Sequence, residues 1–365
     1  MSEKPVILVV GARPNFMKIA PLYAELKHRG INQLLLHTGQ HYDENMSKVF
    51  FEDLGMPEPD IYLGVGSSSH AVQTAKVMME FEVICIKHDP CLVVVVGDVN
   101  STLACTLVAR KLNIKTAHIE AGLRSGDMEM PEEVNRIVTD AIADILLTPS
   151  PDGDANLLAE GRDPNDIFFV GNIMIDSLFN NLERTKDSEI HDRMGLVRGE
   201  YAVLTLHRPS NVDSKTVFAG IIDALEIIGE KISLVFPMHP RTLKQAKEFG
   251  LMKRIEGITN IKIMGPIGYL DFIALTSNSR LVLTDSGGLQ EETTALRIPC
   301  ITLRENTERP ITVSEGTNHI VGSTPSRIVE ASDEVLKRDY SKCSIPDKWD
   351  GRTAIRIADI IESLE

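Results

Sequence analysis

Short runs of apolar residues alternate along almost the whole chain with longer segments in which apolar residues recur at helical spacing. Several runs show no polar alternation, as expected for strands that are covered on both faces. The predicted strands begin PVILVV, QLLLH, CLVVVVG, KTAHIE, DILLTP and DIFFVG in the first half, and YAVLTLH, ISLVFPM, IKIMG, RLVLTD and CITLR in the second. Alternation of this kind predicts parallel sheets with right-handed crossovers.

The segment 171–200 separates two blocks of predicted strands and helices. It indicates a helix followed by charged sequence without a strand, GNIMIDSLFNNLERTKDSEIHDRMGLVRGE. We therefore predict an α/β protein of two Rossmann-like, doubly wound domains that face a central cleft. The N-terminal domain is expected over 1–170 and the C-terminal domain over 171–349. The last helix, within 350–365, is a candidate to pack back on the first domain.

Composition excludes some classes of function. The chain of 365 residues is 43% hydrophobic and 25% charged, with a formal net charge of −14. This acidic balance argues against nucleic-acid binding and against a basic membrane-surface protein, because no global positive field attracts phosphates. No apolar run approaches the ~18 residues of a membrane span. Five cysteines without a CxxC pair do not predict a disulfide framework or a zinc site, and without an export signal the expected compartment is the cytoplasm.

Polar and charged residues follow the predicted strands directly, which is where ligands bind in open α/β sheets. These residues are Gly11–Asn15, Thr38–His41, Gly97–Asn100, Glu120–Arg124, His207-Arg208, His239-Pro240, Asp285–Gly288 and Thr307–Pro310. Each has a plain structural explanation on its own: a glycine in a tight turn, Asp98 as a helix N-cap, or a histidine bonded in the core. Their recurrence at strand ends in both predicted domains indicates a ligand site.

The stretch LVLTDSGGLQEE, residues 281–292, has the most specific pattern. A strand, then Asp-Ser-Gly-Gly, then a helix presents free backbone N–H groups at a helix N-terminus, where an anion is favoured. Glu291 and Glu292 follow within one turn, where a carboxylate would repel a phosphate but would accept hydrogen bonds from a vicinal diol. A nucleotide carries both groups. The stretch therefore predicts a nucleotide diphosphate held by its phosphates at the turn and by its ribose on the helix.

Taken together, the motifs resemble those of the non-hydrolysing UDP-N-acetylglucosamine 2-epimerase family. The matching segments run in family order over nearly the whole chain: VVGARPNFMKIAPL, TGQHYDENM, VVVVGDVNSTLA, HIEAGLRSGD, MPEEVNR, LTLHRPSNV, PMHPR, LVLTDSGGLQEE and NTERPITVSEGTN. The resemblance implies a GT-B-like arrangement of the two domains and a homodimer. It also implies reversible interconversion of UDP-GlcNAc and UDP-ManNAc, without a nicotinamide cofactor or a required metal.

The implied reaction needs groups of three kinds. The C2 hydrogen of the sugar is not next to a carbonyl, so it becomes acidic only as UDP departs from C1 and positive charge builds on the ring. Loss of the proton gives 2-acetamidoglucal, and return of a proton to the other face with re-addition of UDP inverts C2. The protein must therefore stabilise the leaving diphosphate, supply acid and base groups at C2 and exclude water.

The resemblance assigns roles residue by residue. Asp98, Glu120 and Glu132 match the three catalytic carboxylates, without a division into acid and base, and His207 matches the histidine that assists departure of UDP. The matches to UDP-sugar contacts are Arg13, Lys18, Phe272, Ser286, Gly287, Gly288, Glu292 and Arg309. Gln40, His41 and His239 are further candidate sugar or regulatory contacts, and they do not decide whether UDP-GlcNAc is an activator.

Other functions remain open at this point. The same catalytic residues would serve a UDP-2,3-diacetamido sugar acid, or a hydrolysing reaction that releases ManNAc and UDP. A sugar-nucleotide glycosyltransferase of the same fold is a candidate from another reaction class, although it would not need three carboxylates in the first domain. A nucleotide-sugar sensor is the non-enzymatic alternative, against which the joint presence of Asp98, Glu120, Glu132 and His207 argues.

Overall fold

The computed structural model describes residues 4–39 and 55–364. They form two compact units: an N-terminal unit of Met1–Asn180 and Asp347–Glu365, and a C-terminal unit of Asn181–Pro346. Each unit is built on one parallel sheet flanked by helices. The predicted fold class of two doubly wound α/β domains is therefore confirmed, and the predicted cleft between them stays a prediction.

Strands and helices alternate along the described residues. The strands are β1 Val6–Val10, β2 Gln33–His37, β3 Ile61–Tyr62, β4 Leu92–Val96, β5 Lys115–Ile119, β6 Ile145–Thr148, β7 Ile167–Phe169, β8 Tyr201–Thr205, β9 Ser233–Pro237, β10 Ile261–Met264, β11 Leu281–Thr284, β12 Cys300–Thr302 and β13 Asn318–Ile320. The helices are α1 Arg13–His28, α2 His70–His88, α3 Asn100–Lys111, α4 Pro131–Ile142, α5 Pro151–Ala159, α6 Ile173–Leu182, α7 Ile190–Met194, α8 Pro209–Val212, α9 Lys215–Gly229, α10 Pro240–Glu248, α11 Met252–Glu256, α12 Tyr269–Ser277, α13 Gly287–Ala295, α14 Ile311–Ser314, α15 Pro325–Lys337 and α16 Thr353–Ser363. Short 3₁₀ turns span Pro164–Asp166 and Glu183–Asp187.

The strand order of both sheets places a topological switch point beside the first strand. The N-terminal sheet runs β3-β2-β1-β4-β5-β6-β7 and the C-terminal sheet β10-β9-β8-β11-β12-β13. All neighbouring strands are parallel. The order reverses between β1 and β4 and between β8 and β11, so ligand crevices are expected at the carboxyl ends of these two pairs.

The apolar runs form the centres of the sheets. The central strand β4 is buried at every position, which requires cover on both faces. On one face, Ile7 and Val93 pack with Phe81 of α2. In the C-terminal unit, Phe218 of α9 and Phe236 of β9 belong to one large cluster. No helix in the described part of the chain is long and apolar enough to cross a membrane.

The end of the chain belongs to the N-terminal unit. Asp176 of α6 is buried and accepts hydrogen bonds from the backbone N–H groups of Thr353 at 3.1 Å and Ala354 at 2.7 Å, which open α16. Arg29 at the end of α1 contacts the carboxylates of Asp359 and Glu362 on the same helix, each at 2.7 Å. Because α6 caps α16, the first residues of α6 are part of the N-terminal unit, beyond the predicted limit at residue 170.

We expect Asp176→Ala to lower the free energy of unfolding of the N-terminal unit by about 1–3 kcal/mol, because two buried N–H groups lose their acceptor. The single tryptophan, Trp349, is buried in this unit and its indole N–H donates to the Pro149 carbonyl at 2.9 Å. Its fluorescence during urea denaturation measures the effect. Asp359→Ala is the matched control, since that carboxylate is 62% exposed and its ion pair contributes at most about 1 kcal/mol. Equal losses in both variants would contradict the capping role.

Candidate functional site

The first candidate group lies where β1 and β4 end. Asn15 holds this turn together: its side-chain oxygen accepts from the N–H groups of Gly11 at 3.2 Å and Ala12 at 2.8 Å, and its amide donates to the Val96 carbonyl at 3.1 Å. Arg13 opens α1 beside this turn, but its side chain lies outside the described part of the structure. Gln40 and His41, the predicted sugar or regulatory contacts, also lie outside the described residues.

Asp98 follows β4 and is held by the first turns of α4. Its carboxylate, 35% exposed, forms an ion pair with Arg136, and its backbone carbonyl accepts from the Asn135 amide at 2.9 Å. The alternative reading of Asp98 as a helix N-cap is wrong, because Val99 occupies that position in α3 without a side-chain cap bond. The Asp98 carboxylate is therefore oriented by a neighbouring helix and remains partly open to solvent.

Glu120 is a buried carboxylate on a strained backbone. It is only 4% exposed, and its φ of 72° lies in the left-handed region that residues other than glycine avoid. The Lys18 ammonium contacts Oε2 at 2.5 Å, whereas the buried Oε1 has no hydrogen-bond partner among the described residues. Strain and an uncommitted buried polar atom both occur preferentially at functional sites.

The backbone beside Asp98 lies close to Glu120. A Cβ built on Gly97 would be 3.5 Å from the Lys18 ammonium and 3.7 Å from Glu120 Oε2, so the backbone before Asp98 lies against the Lys18–Glu120 ion pair. Gly97 itself has a φ of 69°. The glycine thus serves both the turn and the close approach of the two strand ends.

The two adjacent glutamates at the start of α4 differ in environment. Glu133 is buried and accepts from the N–H groups of Ser125 at 2.9 Å and Gly126 at 2.8 Å, and it pairs with Arg136. Burial alone would raise the pKa of Glu133, but the bonds from Ser125, Arg136 and Gly126 hold it below the ordinary value. Glu132 is half-buried, and the described residues offer its carboxylate neither a hydrogen bond nor an ion pair. Glu133 is structural, and Glu132 is the carboxylate that remains for chemistry.

The second candidate group lies where β8 and β11 end. Asp285 is completely buried and accepts from the backbone N–H groups of His207 at 3.0 Å and Arg208 at 2.9 Å and from the Asn211 amide at 3.2 Å. His207 Nδ1 lies 2.9 Å from Asp285 Oδ1, and the histidine side chain is 38% exposed. Burial alone would raise the pKa of Asp285, but His207 and the loop N–H groups lower it. An ionised Asp285 therefore orients the His207 ring.

His239 is the nearest aromatic neighbour of His207 in the described loops, with ring centroids 5.7 Å apart. Its Nδ1 accepts from the Arg241 backbone N–H at 3.2 Å, so the side chain caps α10. Burial and the proximity of His207 lower the pKa of His239. The capping bond explains why a histidine follows β9, and it leaves Nε2 as the edge that can contact a ligand.

The glycines after Asp285 are required for different reasons. A Cβ on Gly287 would lie 2.7 Å from Glu308 Oε1 and 2.8 Å from Arg309 Nη1, so a larger residue would displace that ion pair. No described atom lies within 4 Å of a Cβ built on Gly288. Ser286 is the N-cap of α13, and its own side chain makes no cap bond. The N-terminus of α13 thus presents backbone N–H groups at an open approach, as an anion site requires.

The carboxylates of α13 have separate partners. Glu291 contacts Arg309 Nε at 2.8 Å, and Arg309 also contacts Glu308 at 2.5 Å. Burial, and then repulsion from Glu291, raises the pKa of Glu292 to about 8. The Tyr269 hydroxyl beside it has its pKa raised by burial and by Glu292. Of the two glutamates noted in the sequence, Glu291 is paired with Arg309, whereas Glu292 is buried beside Tyr269.

Phe272 lies one turn after Tyr269 on α12. It is half-buried and packs with Ile267 against a cluster that contains Leu289 of α13. Phe272, which the family resemblance matches to a residue near the uracil, therefore packs against α13, the helix that carries Glu292. Its contact with a base stays a prediction.

Each unit brings together its own set of predicted residues. Lys18, Asp98 and Glu120 lie at the first switch point, and Glu132 opens the helix whose Asn135 and Arg136 bond Asp98. His207, the Ser286–Gly288 turn and Arg309 lie at the second. The sequence assigned no individual role to Arg136 or Tyr269, and it placed Asp285 in the turn without a role of its own; each of the three orients or neighbours a candidate group. Asp285 carried the clearest signal, because a carboxylate directly after a fully apolar strand needs buried donors.

Relatives are found over almost the whole chain. The family described as UDP-N-acetylglucosamine 2-epimerase matches residues 24–362. The UDP-N-acetylglucosamine 2-epimerase of Methanocaldococcus jannaschii is 44% identical over 338 residues, which cover 91% of this chain and 92% of the relative. The UDP-2,3-diacetamido-2,3-dideoxy-D-glucuronate 2-epimerase of Pseudomonas aeruginosa is 40% identical over 332 residues, covering 90% and 91%. The crystal structure of Methanocaldococcus jannaschii UDP-GlcNAc 2-epimerase in complex with UDP-GlcNAc and UDP has a TM-score of 0.90 at 41% identity, covering 98% of this chain and 99% of that one.

The raised pKa of Glu292 predicts a pH-dependent stability. Below its ordinary value of 4.5 the group is protonated whether the chain is folded or unfolded; between 4.5 and about 8 only the folded chain keeps the proton. Stability attributable to this group is therefore lost as the pH rises through that window. We expect Glu292→Gln to match the wild type near pH 4.5 and to exceed it in free energy of unfolding near pH 8, by a few kcal/mol.

Urea denaturation followed by circular dichroism between pH 4.5 and 8 measures this difference. Glu330→Gln is the control, because Glu330 is an exposed glutamate of the same unit and its neutralisation should give a difference that hardly changes with pH. A difference between Glu292→Gln and the wild type that is constant over the pH range would contradict the buried, proton-holding environment of Glu292.

Proposed function

We propose that this chain, which belongs to the UDP-N-acetylglucosamine 2-epimerase family, catalyses the reversible C2 epimerisation of UDP-GlcNAc to UDP-ManNAc. Family membership confirms the resemblance of its motifs. The observation that carries the proposal is the convergence of Asp98 and the strained, buried Glu120 at the first switch point. Two carboxylates at one sugar carbon are the groups that removal and return of a proton require.

Departure of UDP is assigned to the C-terminal unit. The backbone N–H groups at the start of α13 are proposed to hold the diphosphate, with Arg309 as a further cationic contact fixed in place by Glu291 and Glu308. His207, oriented through Nδ1 by Asp285, is proposed to present Nε2 to the oxygen that leaves C1. Donors fixed before the reaction stabilise the developing charge without reorganisation.

Binding of the nucleoside is proposed for the neighbouring groups of the same unit. Glu292 is the proposed ribose contact, because its carboxyl group follows the phosphate-binding N–H groups within about one turn of α13. Tyr269 lies beside Glu292, and Phe272 on the same helix is the candidate contact of the base. These roles support a uridine nucleotide as the bound leaving group.

Chemistry at C2 is assigned to the N-terminal unit. Lys18 holds Oε2 of Glu120 and leaves Oε1 as the atom proposed to exchange a proton with the sugar. Asp98, oriented by Arg136, and the half-buried Glu132 are the other proton-transfer groups. Elimination gives 2-acetamidoglucal and UDP, and protonation of the opposite face with re-addition of UDP completes the inversion. The division between acid and base among the three stays open.

The function is tested by incubating the protein with UDP-GlcNAc in D2O, without added NAD or metal, and following the sugar by proton NMR. We expect UDP-ManNAc to form, with deuterium at C2 of both epimers, because the C2 proton exchanges with solvent during each turnover. Free ManNAc would indicate the hydrolysing reaction instead. If neither deuterium exchange nor product is seen, epimerase activity on this substrate is excluded.

The carboxylate roles are tested separately from binding. We expect Asp98→Asn and Glu120→Gln each to lower kcat by about 10²–10⁴-fold, because a proton-transfer group is lost while its hydrogen-bonding shape is kept. The dissociation constant of UDP, measured by calorimetry, should stay close to that of the wild type. Arg309→Ala should show the opposite pattern and weaken UDP binding.

Glu129→Gln is the matched control for these variants, since Glu129 is an exposed carboxylate just before α4. It should leave both kcat and UDP affinity unchanged. If Asp98→Asn and Glu120→Gln both abolish UDP binding, the two carboxylates are structural residues of the unit, and the proposed catalytic roles are wrong.

A second substrate is supported by the Pseudomonas aeruginosa relative, whose name is that of a 2-epimerase acting on a UDP-2,3-diacetamido sugar acid. The same deuterium experiment with that substrate in a parallel tube decides between the two substrates.

The proposal also includes a homodimer. A candidate surface for it is the exposed apolar face of α2, formed by Val72, Met79, Val83 and Ile86. A cytoplasmic location likewise remains a prediction.

A further inference from the structure

A buried histidine–aspartate pair in the N-terminal unit has no part in the proposed chemistry. His118 on β5 and Asp140 on α4 are both completely inaccessible to solvent. His118 Nδ1 lies 2.6 Å from Asp140 Oδ1, and His118 Nε2 lies 2.8 Å from the carbonyl oxygen of Gly97. The imidazole ring therefore bridges a carboxylate to the backbone residue that precedes Asp98.

The partners fix the protons on this bridge. A carbonyl oxygen only accepts hydrogen bonds, so His118 Nε2 must carry a proton and donate it to Gly97. A nitrogen and a carboxylate oxygen at 2.6 Å also need a proton between them, because two lone pairs would repel at that distance. The ring thus makes a directed bond on both sides, which sets its orientation and the position of the Gly97 carbonyl.

The other oxygen of Asp140 fixes the loop on the far side of Glu120. Asp140 Oδ2 accepts from the Gly122 backbone N–H at 2.9 Å and from Arg124 Nη1 at 2.7 Å. Burial would raise the pKa of Asp140, but His118, Arg124 and Gly122 together lower it. The Asp140 carboxylate therefore bonds His118, two residues before Glu120, and the Gly122 N–H, two residues after it.

Gly97 has a φ of 69°, which a glycine adopts readily. Glu120, which lies between His118 and Gly122, has a φ of 72°, which strains a residue other than glycine. Such conformations persist only where the surrounding structure determines them strongly. We propose that His118 and Asp140 are positioning residues, which hold the Gly97–Asp98 turn and the Glu120 backbone in the geometry that the proposed proton transfers at C2 require.

Stability of the fold does not by itself call for this arrangement. A buried ionic pair is commonly no more stabilising than well-packed apolar residues of similar volume. What the pair provides is direction, since its bonds to the Gly97 carbonyl and the Gly122 N–H fix the backbone beside Asp98 and just after Glu120. The inference rests on the proposed function, because it needs Asp98 and Glu120 to act on the sugar.

The test uses substitutions by amide residues, and each His118 variant keeps one of the two hydrogen bonds that the histidine makes. In His118→Asn the amide lies near the position of Nδ1 and can still contact Asp140, whereas in His118→Gln it reaches towards Gly97. Asp140→Asn removes the carboxylate that both His118 and Gly122 use. We expect each variant to lower kcat for UDP-GlcNAc by about 10–100-fold, because small displacements of catalytic groups have effects of this size.

The dissociation constant of UDP should stay within about twofold of the wild type, since Arg309 and the start of α13, the proposed diphosphate contacts, belong to the other unit. The double variant His118→Asn with Asp140→Asn should lose little more kcat than the worse single variant, because both changes break one linkage. Thr106→Val is the matched control: Thr106 is buried on α3 and bonds only the Thr102 carbonyl among the described contacts. It should alter stability without altering kcat.

The outcomes separate this inference from the proposed function. Folded His118→Asn and Asp140→Asn, as judged by Trp349 fluorescence, with kcat within about twofold of the wild type would overturn the positioning role. If Asp140→Asn does not fold, His118→Gln decides alone, since it leaves Asp140 and its bonds from Gly122 and Arg124 in place. Unchanged kcat then refutes the proposal, and a 10–100-fold loss with intact UDP binding supports it. A wild-type protein without C2 exchange would refute the proposed function and this inference together.

Discussion

The organisation of both candidate sites depends on one kind of interaction, a buried aspartate that accepts backbone N–H groups beyond the end of a parallel strand. Asp140 does this in the N-terminal unit through Gly122, and Asp285 does it in the C-terminal unit through His207 and Arg208. A loop after a parallel strand has no ladder partner for its N–H groups, so an internal acceptor must supply one. The carboxylate fixes the loop, and the loop in turn fixes the candidate functional side chains.

Parallel topology explains how far the sequence could predict this. Continuous apolar runs predicted β4, β8 and β11 and the positions of the polar residues after them, because buried strands have a strong composition signal. The edge strands β3 and β13, of two and three residues, are too short to produce such a signal. The motifs indicated Asp98 and Glu120 through family resemblance. The backbone strain of Glu120 and its unbonded oxygen could not be predicted, because a sequence contains neither.

Partners across elements were the part that the sequence could not provide. Arg136 is separated by 38 residues from Asp98, and Asp285 by 78 from the His207 backbone that it bonds. A single sequence contains no distance information at such separations, whereas local patterns such as Ser-Gly-Gly before a helix can be read directly.

Net charge gave equally little guidance on where an anion binds. The cations Lys18 and Arg309 each lie against carboxylates, so local pairing decides this.

The two aspartates also show why the same pair of residue types can serve different purposes. Each pairs with a histidine at short range, but His207 is 38% exposed and its ring has an edge open to a ligand, whereas both nitrogens of the buried His118 are occupied by protein acceptors. A histidine can transfer a proton to a substrate only if one nitrogen is available to it. Burial on both sides of the ring therefore makes the His118 pair a positioning device, and exposure on one side makes the His207 pair suitable for chemistry.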